Sequence, residues 1–400
     1  MDASKIARAA VCAYRNFLAD KPELKSAEHI WLISERGYDA QDNGAAFFAW
    51  LCAQHPEIHA VYVISPSDHD YAKMHALGDT VTLGSKRHYE LMYQAEALIS
   101  THAFGYTPDM VIYDHLARAG MFNPDGVSVF LQHGVLDKET DWLSRKHFKP
   151  DLFEVSTEME AELIRAYNHQ PDDAIMRTGQ CRYDALYHSE PKKQILIFPT
   201  WRQWLSGASP LEFSASEYRA MWERLIQSSA WDALPSDWSA VFCLHPEAQR
   251  YSTCFESERV KMERSSDIGA LIRDSSAVIT DYSSVYFDFF YRNLPIVFFQ
   301  FDEARFTSEH YARLSVAHSD FGAVEHDPDQ AVTTAISAVT GGAESRMARK
   351  DPAKFFLYRD DHNCERTYSA ICAKIAQQSP SRLQVTEHGR AGSPDLQGCK

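Results

Sequence analysis

The sequence predicts an α/β protein with parallel sheets, divided into two domains of similar build. Three observations carry that reading. Short apolar runs alternate along the chain with helical patterns. Several of these runs are apolar at consecutive positions, as strands covered on both faces must be. Finally, 400 residues exceed what one hydrophobic core ordinarily organises, so parts of roughly 150–200 residues are expected.

The predicted strands are His29–Ser34, Ala60–Ile64, Ala97–Ser100, Ser128–Leu131, Leu152–Val155, Ile195–Phe198, Ala240–Leu244, Ala277–Ile279 and Ile296–Phe299. Amphipathic helices are predicted over Ala45–Gln54, Thr157–Tyr167 and Ser216–Gln227. Thr157 and Glu160 have capping-box spacing, which starts a helix directly after the Leu152–Val155 strand. Residues 275–299 read as strand, tight turn, helix, a break at Asn293-Leu294-Pro295 and a second strand, a short βαβ unit. Polarity rises over Tyr187–Gln194, giving a first domain over 1–190 and a second over 191–376, with the last helices free to cross back. Gln203–Ser216 reads as a long loop, and 377–400, nearly devoid of apolar residues, as a disordered tail.

Forty basic against 55 acidic residues give a net charge of −15. Such a chain lacks the broad cationic field that nucleic-acid binding needs, so an anionic ligand requires a local cluster. The eight cysteines form no C-x-x-C pair and have no zinc-finger spacing, and read as reduced thiols of a cytosolic protein. Charges interrupt the first residues throughout, unlike a signal peptide, and nowhere do about 18 apolar residues run together. Ile6, Ala10, Tyr14, Phe17 and Leu18 line one helical face beside Lys5, Arg8 and Arg15. That pattern suits either a weak interfacial helix or one packed on the first domain.

In open α/β sheets, ligands gather beyond the carboxyl ends of the strands. Here those positions hold Glu35-Arg36-Gly37, Thr101-His102, Gln132-His133-Gly134, Pro199-Thr200-Trp201-Arg202, His245-Pro246 and Thr280-Asp281-Tyr282-Ser283-Ser284. His133 stands out because Gly134 lets the chain turn beside it and leaves the ring at the sheet edge. A lone histidine such as His102 or His147, one of 18, reads as a surface or hydrogen-bonded core residue. Ser283 and Ser284 are expected on the first turn of a helix, where free backbone N–H groups and two hydroxyls suit a phosphate. Serine and aspartate are equally ordinary helix caps. Trp201 and Trp204 flank Arg202 and suit either base stacking or closure of the loop, the latter favoured for Trp201. Lys138 and Arg182 are ordinary solvated cations unless the fold draws them to the cleft. No Walker sequence and no G-x-G-x-x-G is present.

Taken in order, His133-Gly134, Gly179…Arg182-Tyr183-Asp184, Pro199-Thr200-Trp201-Arg202, His245-Pro246 and Thr280-Asp281-Tyr282-Ser283-Ser284…Phe287-Asp288 form a specific set. With Ser34-Glu35-Arg36-Gly37…Asp42-Asn43-Gly44, the series resembles the CDP-glycerol glycerophosphotransferase family of teichoic-acid and capsule polymerases, from about residue 29 to 375. The resemblance implies a GT-B fold and transfer of glycerol phosphate from CDP-glycerol to a hydroxyl of a polyol-phosphate or glycan acceptor, with release of CMP. It implies no cofactor and no bound metal. Its catalytic residues would be His133, as general base, and His245. Arg202, Thr200, Thr280, Asp281, Ser283, Ser284 and Arg182 would hold the donor. Gly134, Lys138, Glu35 and Arg36 would be contacts to acceptor or phosphate. The implied setting is cytoplasmic, at the inner face of the membrane where an acceptor is lipid-linked.

Val135-Leu136-Asp137-Lys138 stands where better-known members have Thr-Pro-Leu-Lys, and Cys181 and Tyr183 replace a proline and an asparagine. The alditol and acceptor therefore stay open. CDP-ribitol is an alternative donor, and a nucleotide-sugar transferase or a noncatalytic nucleotide-binding subunit are alternative readings.

Overall fold

The structure, a computed structural model, describes residues 29–264, 267–309, 314–341 and 350–388. The N-terminal segment, read as either an interfacial helix or one packed on the first domain, lies outside them. Two parallel sheets organise the chain. The first has strands β1 (Ile30–Ser34), β2 (His59–Val63), β3 (Asp79–Val81), β4 (Ala97–Ser100), β5 (Val127–Phe130), β6 (Leu152–Val155) and β7 (Ile175–Arg177), in spatial order β3-β2-β1-β4-β5-β6-β7. The second has β8 (Gln194–Phe198), β9 (Ser239–Cys243), β10 (Lys261–Glu263), β11 (Ala277–Thr280), β12 (Ile296–Phe299) and β13 (Ala323–Glu325), in order β10-β9-β8-β11-β12-β13.

Every predicted strand is present within a residue of its expected bounds. The strands that sequence reading misses, β3, β7, β10 and β13, are the edges of the two sheets. Each has three residues, and an edge strand covered on one side needs no unbroken apolar run. The inner strands are buried at nearly every position, and helices cover both faces of each sheet with apolar clusters.

Thr157 caps the Glu158–Ala166 helix, its hydroxyl accepting from the Glu160 N–H at 3.0 Å. The βαβ unit forms as read, β11 and β12 pairing in parallel around the Tyr286–Tyr291 helix. Two expectations need correction. The Gln203–Ser216 loop contains a short helix, Pro210–Ser214, started by a capping box between Ser209 and Glu212; proline at the first position and glutamate at the third were its signal. The tail from Gln377 begins as a continuation of a helix, Asn363–His388, rather than as disordered chain. A helix already nucleated adds one hydrogen bond per residue at little cost, and Gln378 anchors it with a 3.1 Å bond to Asp151.

The chain passes from the first sheet to the second between Arg177 and Gln194, and the Asn363–His388 helix returns to pack on β5 and on the Asn43–Gln54 helix. The carboxyl ends of the two sheets face each other. Arg182 joins them: its guanidinium bonds Asp42 of the first domain at 2.9 Å and grips both carboxylate oxygens of Asp288 in the second at 2.9 and 3.1 Å.

Candidate active site

His133 follows β5, and the turn that presents it is built by its predecessor. Gln132 has φ 54°, a left-handed conformation that non-glycine residues seldom adopt. Its side chain donates to the Glu154 carbonyl at 3.0 Å. Asn43 donates to the carbonyls of Leu131 and Gln132, both at 3.1 Å, while its own amide oxygen accepts from the Arg182 N–H at 3.0 Å. The Glu160 carboxylate accepts from Leu136 N–H at 2.7 Å on the far side of the turn. His133 is thus exposed on a loop whose backbone is fixed on both sides.

Gly134 has a different purpose from the one its sequence suggests. The turn's positive φ belongs to Gln132, whereas a β-carbon on Gly134 would stand 2.6 Å from the Ser284 hydroxyl oxygen. Glycine here permits close approach between domains. The paired serines of the second domain therefore lie against the residue next to His133. They do not start the helix: Ser283 and Ser284 occupy the turn before Tyr286–Tyr291, half-buried, with Ser283 Oγ accepting from Val285 N–H at 3.4 Å.

Beside His133 lies His102, which follows β4, the strand next to β5. The two rings are stacked, centroids 4.6 Å apart with planes 11° from parallel. His133 Nδ1 lies 3.4 Å from the Thr101 carbonyl. A carbonyl only accepts, so the neutral ring carries its proton on Nδ1 and its lone pair on Nε2. Loss of bulk solvation in the cleft lowers the pKa of His133; Asp42 opposes that, and Arg182 and Arg36 add to it. The neutral form is the one able to take a proton.

On the second sheet His245 ends β9, two strand positions from Ser283 and Ser284 at the end of β11. Its Nδ1 accepts from Glu247 N–H at 3.3 Å and caps the Pro246–Cys254 turns. Between them, at the end of β8, Thr200 is buried, and its hydroxyl oxygen has no hydrogen-bond partner within the protein.

Other expected donor contacts are turned inward. Arg202 is 2% exposed. Its guanidinium binds Asp302 at 2.9 and 3.0 Å, Asp281 at 2.7 Å and the Thr200 carbonyl at 2.7 Å, leaving no face for a diphosphate. Burial opposes its charge, but Asp281 and Asp302 outweigh that and raise its pKa. Asp281 also accepts from the backbone N–H groups of Thr200 and Tyr282, at 2.8 and 2.7 Å. Thr280 is buried and donates to the Phe198 carbonyl at 2.6 Å. These residues shape the rim from beneath.

The candidate acceptor contacts divide similarly. Glu35 is buried and accepts from the N–H groups of Gln41, Asp42 and Ala45 at 2.8–3.0 Å. Burial, then Asp42 and Asp39, push its pKa up to about 8. Arg36 is paired with Asp39 and lies over the Tyr38 ring at 5.1 Å, near enough to His133 to act on its charge. Lys138 is buried against Asp137 at 2.6 Å. Asp137 also accepts from Tyr286 of the second domain at 3.1 Å and faces His318 at 3.6 Å. Burial alone would raise this carboxyl, but Lys138 and His318 prevail and hold it at about 2.

That arrangement places the departures from the better-known sequences. Val135 packs into the second domain's core with Tyr286 and Phe287, and Asp137 is an interdomain anchor. Cys181 lies beneath the Asn363–His388 helix near Thr367, and Tyr183 packs on Tyr291 with centroids 4.3 Å apart. All four positions are buried in packing between elements.

The family described as CDP-glycerol:poly(glycerophosphate) glycerophosphotransferase matches residues 15–373. The chain belongs to that family. A curated relative, the minor teichoic acid biosynthesis protein GgaB of Bacillus subtilis strain 168, is 28% identical over 362 residues, which are 86% of this chain. This chain spans only 39% of that relative's length. Among solved structures, the wall teichoic acid polymerase TagF is similar in fold, with a TM-score of 0.67 over 94% of this chain and 98% of that one at 16% identity. A UDP-GlcNAc 2-epimerase from Neisseria meningitidis has a TM-score of 0.52 over 86% of this chain and 99% of its own, at 11% identity. The family's two facing Rossmann-like halves, a GT-B arrangement, are the fold described above.

Proposed function

We propose that the protein transfers glycerol phosphate from CDP-glycerol to a hydroxyl of a polyol-phosphate or glycan acceptor and releases CMP, as a step in making a teichoic-acid-type polymer. The observation that carries this reading, beyond family membership, is contact between Gly134 and Ser284. It presses the loop bearing a neutral imidazole in one domain against the serine pair of the other. In the proposed reaction His133 Nε2 takes the proton of the attacking hydroxyl. The oxygen attacks the phosphorus bearing glycerol, and the bond to the CMP phosphate breaks. Ser283, Ser284, His245 and the unpartnered Thr200 hydroxyl hold the diphosphate and offset charge building on CMP. Phosphoryl transfer relies mainly on such positioning and electrostatic support. Its acceptor can be lipid-linked, which would set the work at the cytoplasmic face of a membrane. Among the described residues no helix is long and apolar enough to cross one.

Nucleotide release, CMP from CDP-glycerol and CDP-ribitol and UDP from UDP-sugars, measured with short polyol-phosphate acceptors, tests this reading. Release that is fastest from CDP-glycerol and depends on acceptor is expected. Preference for CDP-ribitol would change the alditol. Turnover of UDP-sugars alone, or donor binding without turnover, would overturn it.

A further inference from the structure

The loop carrying His102 is as deliberately built as the one carrying His133. The Ser100 hydroxyl and the Gly105 N–H both donate to the His102 carbonyl, at 2.7 and 2.8 Å. Phe104 takes a left-handed φ of 59°, and its carbonyl accepts from the Thr107 hydroxyl at 2.6 Å. A β-carbon at Gly105 would stand 2.0 Å from the Glu35 carbonyl oxygen, so the loop is pressed against the end of β1. Thr101, fully buried, serves both imidazoles: its hydroxyl lies 3.0 Å from His102 Nδ1 and its carbonyl 3.4 Å from His133 Nδ1.

We propose that His102 is a positioning residue for His133, its ring stacked so that the His133 imidazole keeps Nδ1 on the Thr101 carbonyl and Nε2 turned to the cleft. Stacking removes the freedom of a surface imidazole to flip about its second torsion, which otherwise exchanges the two nitrogens. It also requires that the pair carry at most one charge. Burial, then His133 and Arg36, hold the pKa of His102 well below the usual histidine value. Around His133 the facing charges are Asp42, which favours protonation, and Arg182 and Arg36, which oppose it. A proton arriving at His133 thus meets a neutral ring on its stacked face. The role in turnover rests on the reaction proposed above, but the pairing itself does not.

NMR of the protein labelled in its histidine rings, titrated without substrate, reads that pairing directly. In the unsubstituted protein His133 should show one tautomer, protonated on Nδ1, with a midpoint below the free-histidine value of about 6.5. His102→Ala should mix the tautomers and move the midpoint up toward that value. His102→Phe, which keeps a flat ring and cannot titrate, should preserve both and carries the test if the alanine variant does not fold. In turnover, His102→Ala should lower kcat roughly tenfold or more with KM little changed, and His102→Phe should restore it. An unchanged His133 tautomer and midpoint in His102→Ala would overturn the proposal, as would a phenylalanine variant as impaired as the alanine one. Failure of the donor assignment would leave the titration intact, so the two are separable.

Discussion

The rims of the two sheets draw on similar polar residues and use them in opposite ways. On the first sheet, His133 and His102 stand at the ends of neighbouring strands and face the cleft, while Glu35 is consumed by backbone N–H groups. On the second, the strongest charge, Arg202, turns inward between Asp281 and Asp302, and the smaller Ser283 and Ser284 are left half-buried at the edge. A group at a strand end goes to whichever side satisfies it. Neighbouring elements supplied Arg202 with two carboxylates, and a buried cation so paired is far costlier to disturb than to keep. Imidazoles, neutral at working pH, need no such partner and can stay at the mouth.

Substitutions should separate these two uses. The largest effect is expected at Arg202. Arg202→Ala leaves two buried carboxylates without their cation and should cost about 3–5 kcal/mol of stability, read as a fall in the thermal unfolding midpoint. An ordinary midpoint with a raised KM for donor would break the comparison by making Arg202 a ligand. Next is Ser284→Ala, which should cost about 2–4 kcal/mol of transition-state stabilisation, read from kcat/KM, with the unfolding midpoint unchanged. Gly134→Ala should be smaller, about 1–3 kcal/mol, because its new methyl meets the Ser284 hydroxyl and pushes the domains apart. Weaker donor affinity than in the parent would register it. The mildest test is pH. As the proposed base, His133 must be unprotonated, and its pKa is lowered, so kcat/KM should be full above that pKa and fall as pH drops through it. Its acid limb should lie below about 6.5; a limb above that value would contradict the cleft's effect on the ring.

How much of this was legible in the sequence follows the same division. Inner strands announced themselves because burial on both faces demands unbroken apolar runs such as Ile195–Phe198, whereas edge strands such as Lys261–Glu263 carry charged residues and pass for loop. His133 was legible because Gly134 suggested a turn beside it, although the left-handed residue proved to be Gln132 and the glycine serves close approach to Ser284. The inward turn of Arg202 was not, since Asp302 lies a hundred residues away in sequence. His102 read as an ordinary histidine because its importance depends on β4 lying beside β5; its signal was Thr101-His102 at a strand end next to the one bearing His133. The replacements at Val135, Asp137, Cys181 and Tyr183, which leave the alditol and acceptor open, all fall at buried packing positions, with Val135 and Asp137 between the two domains.

The central division is between an imidazole proposed to react and a guanidinium that supports. Its most direct test is His133→Ala, with CMP release from CDP-glycerol and thermal unfolding measured on the same preparation. Turnover should fall by about 10²–10⁴ while the unfolding midpoint stays where it was. Turnover that persists in a folded His133→Ala protein would contradict it.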